Sequence, residues 1–560
     1  MKTMTNLMVP MRDGIRLACT VYRPDDDAPY PAILMRTPYL KENIDGIYSN
    51  YQELAMSGYN MVFQDTRGTG KSEGFMDATG KDDADDGYDT IEWIAAQPWC
   101  DGNVGMHGLS YFGYTQMAAA EGRPPHLKAL CPFQNSAIDP FSLTKAKTFD
   151  NYHLAWILDR VIQNLENWYP DPAQRESVRA QVEACRKNWN EESFKLPVIQ
   201  HKGAHIPGIP QTKAFLELVD GAEDPEFLKK AHRPVKIEQI NAPMFFLTGW
   251  FDGARDGTLD NWNHALQGEV PMNQKKLIIG PWVHGGELHT QIDGFDFGSE
   301  NTGASRGICD TIKRWFDRWL KHVDNGIDRE APVSIFVLGR NEWREEQEWP
   351  LSRAVQTPFY FGKTEKGEGS LSPNVPDHQE MFTFTYDPEN PFPSFRKDSR
   401  GHALFADPSE AANRPDVITF RSAPLDQEME VTGEIKCVVY ASTSAVDTDF
   451  ACILSDVNEK GEAMPLLSGI RRGKFLEGET PKLLEPGKVY AWEISLGNIS
   501  NVFKPGHCLR IDLTSSLYPA HNRNLNTAER IGYGTESVKA DQCVYTGPAY
   551  PSTVILPIIP

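Results

Sequence analysis

The stretch that decides the fold is Val104-Gly105-Met106-His107-Gly108-Leu109-Ser110-Tyr111-Phe112-Gly113. Its first half is an apolar run of the kind found in a strand that is buried on both faces. Its second half passes through Gly-x-Ser into a segment rich in small residues, which favours a helix. A strand, a sharp turn at serine and a helix are the setting of a nucleophile elbow, which lifts the serine hydroxyl above the sheet. The second glycine of that motif usually follows two residues after the serine, but Phe112 stands there and the glycine comes at 113. This motif alone does not decide between two interpretations of Ser110, a catalytic nucleophile and an ordinary residue of a Gly-Ser turn.

Apolar runs on both sides of the elbow extend the same pattern. They lie at 31–35, 59–64, 127–133, 242–249, 276–280 and 332–338. Residues 82–97 predict a helix between two of them, because four acids stand where the positive end of a helix dipole would lie. Residues 305–323 predict an amphipathic helix with Ile308, Ile312, Trp315, Phe316 and Leu320 on one face. Strands that alternate with helices predict a parallel sheet covered by helices.

A nucleophilic serine needs a base, and the base needs an acid that orients it. Asp252 follows the apolar run 242–249, and His284 follows the next run. The order Ser110, Asp252, His284 is the order of this fold type, and the carboxyl ends of parallel strands meet at one edge of the sheet. We therefore predict Ser110 as nucleophile, His284 as base and Asp252 as its partner.

Other acids and histidines nearby fit these roles less well. Asp256 and Asp260 fall within the helix predicted after Asp252, so we expect them to point away from the strand ends. His107 lies inside the predicted strand, where a packing role is expected, and His289 lies in a loop.

Composition excludes several classes of function. The chain of 560 residues has 56 Lys and Arg against 77 Asp and Glu, for a formal charge of −21. Such a chain is not expected to bind nucleic acid or an anionic membrane surface, because binding to either one depends on basic residues. It has no apolar stretch of about 18 residues and no signal-peptide pattern at its start. Nine scattered cysteines without Cys-x-x-Cys predict reduced, mostly buried thiols and a cytoplasmic location.

Three stretches resemble cofactor or metal motifs but lack the required spacing. Residues 68–72 end in Gly-Lys-Ser, yet Asp65 stands where a phosphate loop needs glycine. The run from His284 to His289 lacks the His-Glu-x-x-His spacing of a zinc helix. His201 and His205 are four residues apart in a stretch rich in proline and glycine. We predict neither a cofactor nor a metal.

The pattern of predicted secondary structure changes twice along the chain. Helical patterns without strands fill roughly residues 141–239, and after about 350 short β-rich runs alternate with turn residues. The predicted organisation is an α/β domain over 1–140 and 240–350, a helical insertion at 141–239 and a β domain at 351–560.

Several ordered motifs make the family recognisable. The chain resembles the cocaine-esterase-like serine hydrolases, relatives of the Xaa-Pro dipeptidyl-peptidases and α-amino-acid ester hydrolases. The resemblance is carried by the motifs at 36–39, 64–74, 108–113, 249–253, 280–284, 442–450 and 501–507. In this family Gly-x-Ser-Tyr-x-Gly is the usual elbow, so Phe112 fits. The resemblance implies an α/β-hydrolase domain, a helical cap inserted after the sixth strand, and a C-terminal jelly-roll-like β-sandwich.

The resemblance also assigns roles by position. Ser110 matches the nucleophile, His284 the general base and Asp252 its orienting acid. Tyr39 matches a tyrosine whose hydroxyl completes the oxyanion hole with the backbone N–H of Tyr111. Aromatic residues expected to line the acyl pocket are Trp156, Trp168, Trp250 and Phe251, beside Tyr39 and Tyr111.

The function hypothesis is a cofactor-free serine hydrolase that cleaves carboxylic esters, and activated amides as an extension, through an acyl-enzyme. The expected binding partner is a small-molecule ester or amide substrate. The sequence does not decide whether the chain forms a homo-oligomer. One alternative is an α-amino-acid ester hydrolase, acylase or Xaa-Pro dipeptidyl-peptidase-like enzyme that recognises a substrate amino group. The carboxylates considered for that role are Asp150, Asp159, Glu287, Asp293 and Asp296. The alternative outside this class is a non-catalytic ligand-binding protein.

Overall fold

Parallel strands form the centre of a mixed sheet in the computed structural model of the protein. The structure describes residues 1–43, 51–77, 80–137, 148, 151–232, 234–286, 289–292, 295–397, 403–405, 411 and 413–560. The strands of the first half are β1 (Lys2–Pro10), β2 (Arg16–Arg23), β3 (Tyr30–Thr37), β4 (Asn60–Asp65), β5 (Cys100–Leu109), β6 (Leu127–Phe133), β7 (Met244–Phe251), β8 (Lys275–Val283), β9 (Gln291–Ile292), β10 (Phe295–Asp296), β11 (Val333–Val337) and β12 (Glu342–Glu346).

The sheet has the strand order β1-β2-β4-β3-β5-β6-β7-β8-β11-β12, and β9 pairs with β10 in a separate hairpin. Every pairing from β4 through β11 is parallel, whereas β1, β2 and β12 pair antiparallel at the two edges. The central strands are almost wholly buried, because helices cover both faces of a parallel sheet. Their carboxyl ends therefore share one edge.

The helices are α1 (Tyr51–Met56), α2 (Asp83–Ala95), α3 (Tyr111–Glu121), α4 (Tyr152–Gln163), α5 (Leu165–Trp168), α6 (Pro172–Lys187), α7 (Trp189–Phe194), α8 (Lys213–Gly221), α9 (Pro225–His232), α10 (Arg255–Gln267) and α11 (Ile308–Leu320). Short 3-10 turns lie at Val198–Gln200, Lys202–His205, Pro210–Thr212, Ile237–Gln239, Met272–Gln274, Ser299–Asn301, Ile327–Arg329 and Gly473–Phe475. The buried residues of α11 are the five predicted from its periodicity.

Helices α4 to α9 lie between β6 and β7 and have their own apolar cluster, which we call the helical insertion. Asn164 separates α4 from α5. Its side chain donates to Arg160 O (2.8 Å) and accepts from the backbone N–H of Gly70 (2.8 Å). Asn167 and Trp168 donate to the carbonyls of Gly70 and Gly68. The helix break therefore attaches the insertion to the loop that follows β4.

The C-terminal region is all β. Its strands are β13 (Val355–Lys363), β14 (Gly369–Ser372), β15 (Glu380–Tyr386), β16 (Phe395–Lys397), β17 (Ala403–Phe405), β18 (Ile418–Ser422), β19 (Met429–Thr443), β20 (Asp449–Val457), β21 (Ala463–Arg472), β22 (Tyr490–Phe503), β23 (Cys508–Thr514), β24 (Ala540–Thr546) and β25 (Thr553–Ile559). They pair in the order β15-β24-β19-β25-β13-β14-β18-β23-β20-β21. Strand β22 also pairs with β19, and β16 and β17 form a separate two-stranded sheet.

Strand β22 joins the β region to the α/β region. The backbone of Leu338 exchanges hydrogen bonds with Ser500 O (3.0 Å) and Val502 N (2.9 Å). Asp256 accepts from the backbone and side-chain nitrogens of Asn498 at 3.1 and 3.0 Å. One apolar cluster runs through both regions, so they share a core.

Candidate active site

The turn at Ser110 has an unusual backbone conformation. Ser110 lies between β5 and α3 with φ 60° and ψ −127°, in a region that residues with a Cβ rarely adopt. Such strain costs about 1–3 kcal/mol and persists only where the surroundings fix it. Here the Ser110 amide donates to Phe133 O (2.9 Å), and its carbonyl accepts from Gly113 and Tyr114 (2.9 and 3.0 Å). The turn places the serine at the carboxyl end of the central strand.

Two glycines make this turn sterically feasible. Gly108 has φ 147°, and a Cβ there would lie 2.3 Å from Cβ of Phe112. A Cβ on Gly113 would lie 2.6 Å from Asn135 Nδ2 and 2.8 Å from Phe133 O. The close approach of helix and sheet therefore falls at 113 rather than 112, which explains why Phe112 is tolerated. The Phe112 side chain is buried and its ring packs 5.5 Å from that of Tyr39.

Asp252 and His284 meet at the same edge of the sheet. His284 Nδ1 lies 2.8 Å from Asp252 Oδ1. The Asp252 side chain is fully buried, and it also accepts from Thr248 Oγ1 (2.9 Å) and Ala254 N (2.8 Å). The His284 side chain is 42% exposed, so its ring faces the space outside the strand ends. In the described part of the chain no hydrogen bond joins Ser110 Oγ to this ring; that bond is often long before a substrate binds.

Gln134 supports the turn at His284 from the end of β6, two strands away from β8 in the sheet. Its side chain donates to Val283 O (3.1 Å) and accepts from Gly285 N (2.7 Å), one residue on each side of His284. Its backbone amide donates to Leu247 O (2.8 Å) in β7. Sequence reasoning missed Gln134, because its partners are backbone atoms remote in sequence. It also missed Thr248, because a threonine four residues before an aspartate belongs to no motif.

Tyr39 follows β3 and lies against the helical insertion. Its hydroxyl accepts a hydrogen bond from Trp156 Nε1 (3.2 Å), which leaves its own O–H able to donate. Trp156 also stacks on the ring of Tyr111 at 5.6 Å and 16°. The structure thus brings Tyr39, Tyr111 and Trp156 into one aromatic cluster above the elbow.

A buried charge cluster anchors the Tyr111 side chain. Tyr111 donates its O–H to Asp83 Oδ2 (2.7 Å), and Arg36 lies 3.3 Å from the other oxygen of Asp83. Burial raises the pKa of Asp83 to about 6, although the Arg36 charge and the Tyr111 hydrogen bond act in the opposite direction. The sequence showed Asp83 only as one acid of a helix first turn. Its burial beside Arg36 gives it a second role.

The other pocket candidates occupy different environments. Phe251, at the end of β7, is half-buried and stacks on Phe297 at 5.7 Å. Trp168 donates to Gly68 O in the loop that follows β4, so it lies where the helical insertion meets that loop. Trp250 has no exposed surface; its Nε1 donates to Phe336 O (2.6 Å) and its ring packs on Trp349. These contacts make Trp250 a core residue rather than an open wall.

The other histidines and aspartates near the site have structural contacts or lie in a loop. His107 is buried against Phe133 and Phe316, and burial lowers its pKa to about 4. Asp256 and Asp260 lie in α10, as predicted, and Asp256 contacts β22. His289 is exposed in a loop.

The carboxylates considered for an amine site divide into two groups. Asp150, Glu287 and Asp293 lie outside the described residues. Asp159 pairs with Arg186 (2.6 Å), and exposed Asp296 accepts from Gln291 and Gly298.

The candidate metal residues and cysteines have ordinary structural environments. His201 Nδ1 accepts from Gly203 N (3.0 Å), and His205 Nε2 lies 2.7 Å from Ile199 O. Among the described residues no His, Cys, Asp and Glu side chains cluster as a metal site would require. The cysteines are all free thiols; Cys309 is exposed and Cys543 half-buried, whereas the other seven are buried. No helix in the described ranges has the length and apolarity to span a bilayer.

Comparison with known proteins gives matches along the whole chain. The family described as X-Pro dipeptidyl-peptidase (S15 family) matches residues 13–286, and the X-Pro dipeptidyl-peptidase C-terminal non-catalytic domain matches 325–555. Cocaine esterase of Rhodococcus sp. (strain MB1 Bresler) is 33% identical over 99% of this chain and 98% of its own length. An aminopeptidase from the marine sediment archaeon Thaumarchaeota archaeon and an α-amino acid ester hydrolase each superpose with a TM-score of 0.81 at 23% identity, over 100% of this chain and 96% of theirs. These two structures share the fold.

Gly113→Ala should destabilise the protein by about 2 kcal/mol, because the added methyl group meets Asn135 and a backbone carbonyl in a packed interior. Urea unfolding measures this change. Gly253→Ala is the matched control, since a Cβ there has no heavy atom within 4 Å. Equal stability of the two variants would contradict the packing account of the elbow.

Asp83→Asn should weaken the pH dependence of stability. The pKa of Asp83 is about 6 when folded against 3.8 for an ordinary aspartate. The folded state thus holds the proton more tightly, and stability falls as pH rises from about 4 to 6. In the Asn variant the loss of unfolding free energy between pH 4 and 7 should be smaller by about 2 kcal/mol.

Urea unfolding at several pH values measures the effect of Asp83→Asn. Asp85→Asn, which removes an exposed carboxylate from the same helix, is the control. An Asp83→Asn profile that follows the wild-type profile would show that the buried carboxyl does not take up the proton.

Proposed function

The chain belongs to the family of serine hydrolases that includes cocaine esterase and is a serine ester hydrolase, and from this premise we propose that it cleaves carboxylic esters through an acyl-enzyme on Ser110. Family membership also argues against a non-catalytic binding protein. The observation that carries the proposal is the Asp252–His284 pair at 2.8 Å, on the strand-end edge that also bears the strained Ser110 turn. A substrate carbonyl at this edge would meet the Ser110 hydroxyl and the His284 imidazole, which the buried Asp252 carboxylate orients.

The proposed reaction has two halves. Ser110 Oγ attacks the ester carbonyl while His284 takes its proton, and the tetrahedral intermediate collapses as His284 returns that proton to the departing alcohol. Water then attacks the acyl-enzyme with His284 again as base, which releases the acid and regenerates Ser110. Asp252 keeps the imidazole oriented and stabilises its protonated form; Thr248 and Ala254 hold the carboxylate in place.

The proposed oxyanion hole combines a phenol and an amide. The first amides of a helix have no partner within the helix, so the N–H of Tyr111 at the start of α3 is suited to receive the negative oxygen. Tyr39 would add its O–H from the other side, because its hydrogen bond with Trp156 uses only an acceptor position. Such donors stabilise the charge that develops in the transition state.

For the acyl pocket we propose a wall that includes the half-buried rings of Trp156 and Phe251, together with Tyr39 and Tyr111. Trp168 would act by docking the helical insertion, and Trp250 by packing.

The division into 1–140, 141–239, 240–350 and 351–560, the jelly-roll topology of the β region and the cytoplasmic location stay predictions. The buried free thiols support the cytoplasmic location.

Recognition of a substrate amino group is the second candidate, because the α-amino acid ester hydrolase and the aminopeptidase share this fold. Hydrolysis of phenylglycine methyl ester against its N-acetyl form separates the two candidates. For a simple esterase the two rates should lie within about tenfold, since no pocket carboxylate is desolvated to hold the ammonium. A preference of more than about 100-fold for the free amine would establish the second candidate.

Ser110→Ala should abolish turnover of p-nitrophenyl acetate while the thermal transition stays within a few degrees, because only the attacking oxygen is removed. A phosphonate probe should label the wild-type chain once, on the peptide that contains Ser110, as read by mass spectrometry. Substantial esterase activity in the variant, or labelling on another residue, would refute the assignment.

Tyr39→Phe should lower kcat by about 10²-fold, the effect of losing one oxyanion donor worth about 3 kcal/mol. Steady-state kinetics with a phenyl ester measure it. Tyr169→Phe is the control, because that hydroxyl bonds Gly208 within the insertion. Unchanged kcat in Tyr39→Phe would remove Tyr39 from the mechanism.

A further inference from the structure

Arg160 is a buried cation that has no carboxylate partner within the described part of the chain. It lies on α4 of the helical insertion and is only 6% exposed. Among the described residues no carboxylate lies within ion-pair distance of its guanidinium, and its Nε has no hydrogen-bond acceptor. The adjacent Asp159 pairs with Arg186 instead. A charged group is costly to bury, so a protonated Arg160 requires a compensating contact.

The contact that Arg160 makes is with the proposed oxyanion tyrosine. Its guanidinium carbon lies 4.4 Å from the centre of the Tyr39 ring, and 5.3 Å from that of Trp156. Burial lowers the pKa of Arg160, while Tyr39 acts to raise it. Arginine stays protonated at neutral pH in proteins, so Tyr39 has a full positive charge over its ring.

Two contacts therefore polarise the same phenol. Trp156 donates to the Tyr39 oxygen (3.2 Å), and Arg160 places its charge on the ring face. A phenol that accepts a hydrogen bond and lies beside a cation is a stronger donor through its own O–H. In a site with little water, this polarisation is screened less than it would be in bulk solvent.

We propose that Arg160 is a positioning residue of the oxyanion hole, which fixes the Tyr39 ring and strengthens donation from its O–H to the oxygen that becomes negative. The proposal rests on the function proposed for Ser110 and Tyr39. It makes Arg160 act through Tyr39, with no direct contact to substrate. It also gives the helical insertion a part in catalysis besides covering the site.

The test is a double-mutant cycle on the full chain with phenyl acetate, a neutral ester. Arg160→Met should lower kcat about tenfold with KM changed less than threefold, a fraction of the effect of a whole donor. Arg160→Lys keeps the charge and should retain at least a third of wild-type kcat. In the Tyr39→Phe background, Arg160→Met should cost less than twofold, because the hydroxyl it acts on is gone.

Arg186→Met is the matched control. It removes another arginine of the insertion, which lies over Trp189 rather than Tyr39, and should leave kcat unchanged. Thermal unfolding checks the fold of each variant, and Arg160→Gln replaces Arg160→Met in the cycle if the latter does not fold.

Either of two results would overturn the proposal: wild-type kcat in Arg160→Met, or a tenfold loss that persists in the Tyr39→Phe background. Ser110→Ala in the same assay separates this failure from that of the proposed function. If Ser110→Ala is inactive and the cycle shows no coupling, only the role of Arg160 fails. If Ser110→Ala retains turnover, the ester mechanism fails and the role of Arg160 falls with it.

Discussion

The parallel hydrogen bonding that runs from β3 through β5, β6 and β7 to β8 is the constraint on which the candidate site depends. It brings four chain segments to one edge, where Tyr39, Ser110, Asp252 and His284 follow the strand ends. Asp252 and His284, which are remote in sequence, contact each other there. Because the strands are buried on both faces, this edge is fixed by the core itself.

The strained serine turn and the groups that hold it form one packed unit. Helix α3 can approach the sheet closely only because Gly113 leaves room for Asn135 and a β6 carbonyl. Asp83 holds the side chain of Tyr111 at the start of that helix, and Gln134 holds both sides of His284. The groups proposed to react are thus positioned by buried polar contacts, which are costly to leave unmade and hence specific in geometry.

Much of the fold could be predicted from sequence, because it rests on local patterns. Apolar runs located the buried strands, and the spacing of Ile308, Ile312 and Trp315 located one face of α11. The order of Ser110, Asp252 and His284 predicted that Asp252 partners His284, and these two side chains lie 2.8 Å apart. Contacts between remote residues without a motif were not predictable: the helix break at Asn164 depends on Gly70, and the burial of Arg160 on Tyr39.

A crystal structure with a boronic acid inhibitor tests the central claim most directly. The account predicts a covalent bond from boron to Ser110 Oγ and one boron hydroxyl within about 3 Å of both Tyr39 Oη and Tyr111 N. It also predicts that His284 Nε2 reaches Ser110 Oγ or the second hydroxyl. Boron bound to another residue, or bound to Ser110 with its oxygens turned away from Tyr39 and His284, would contradict it.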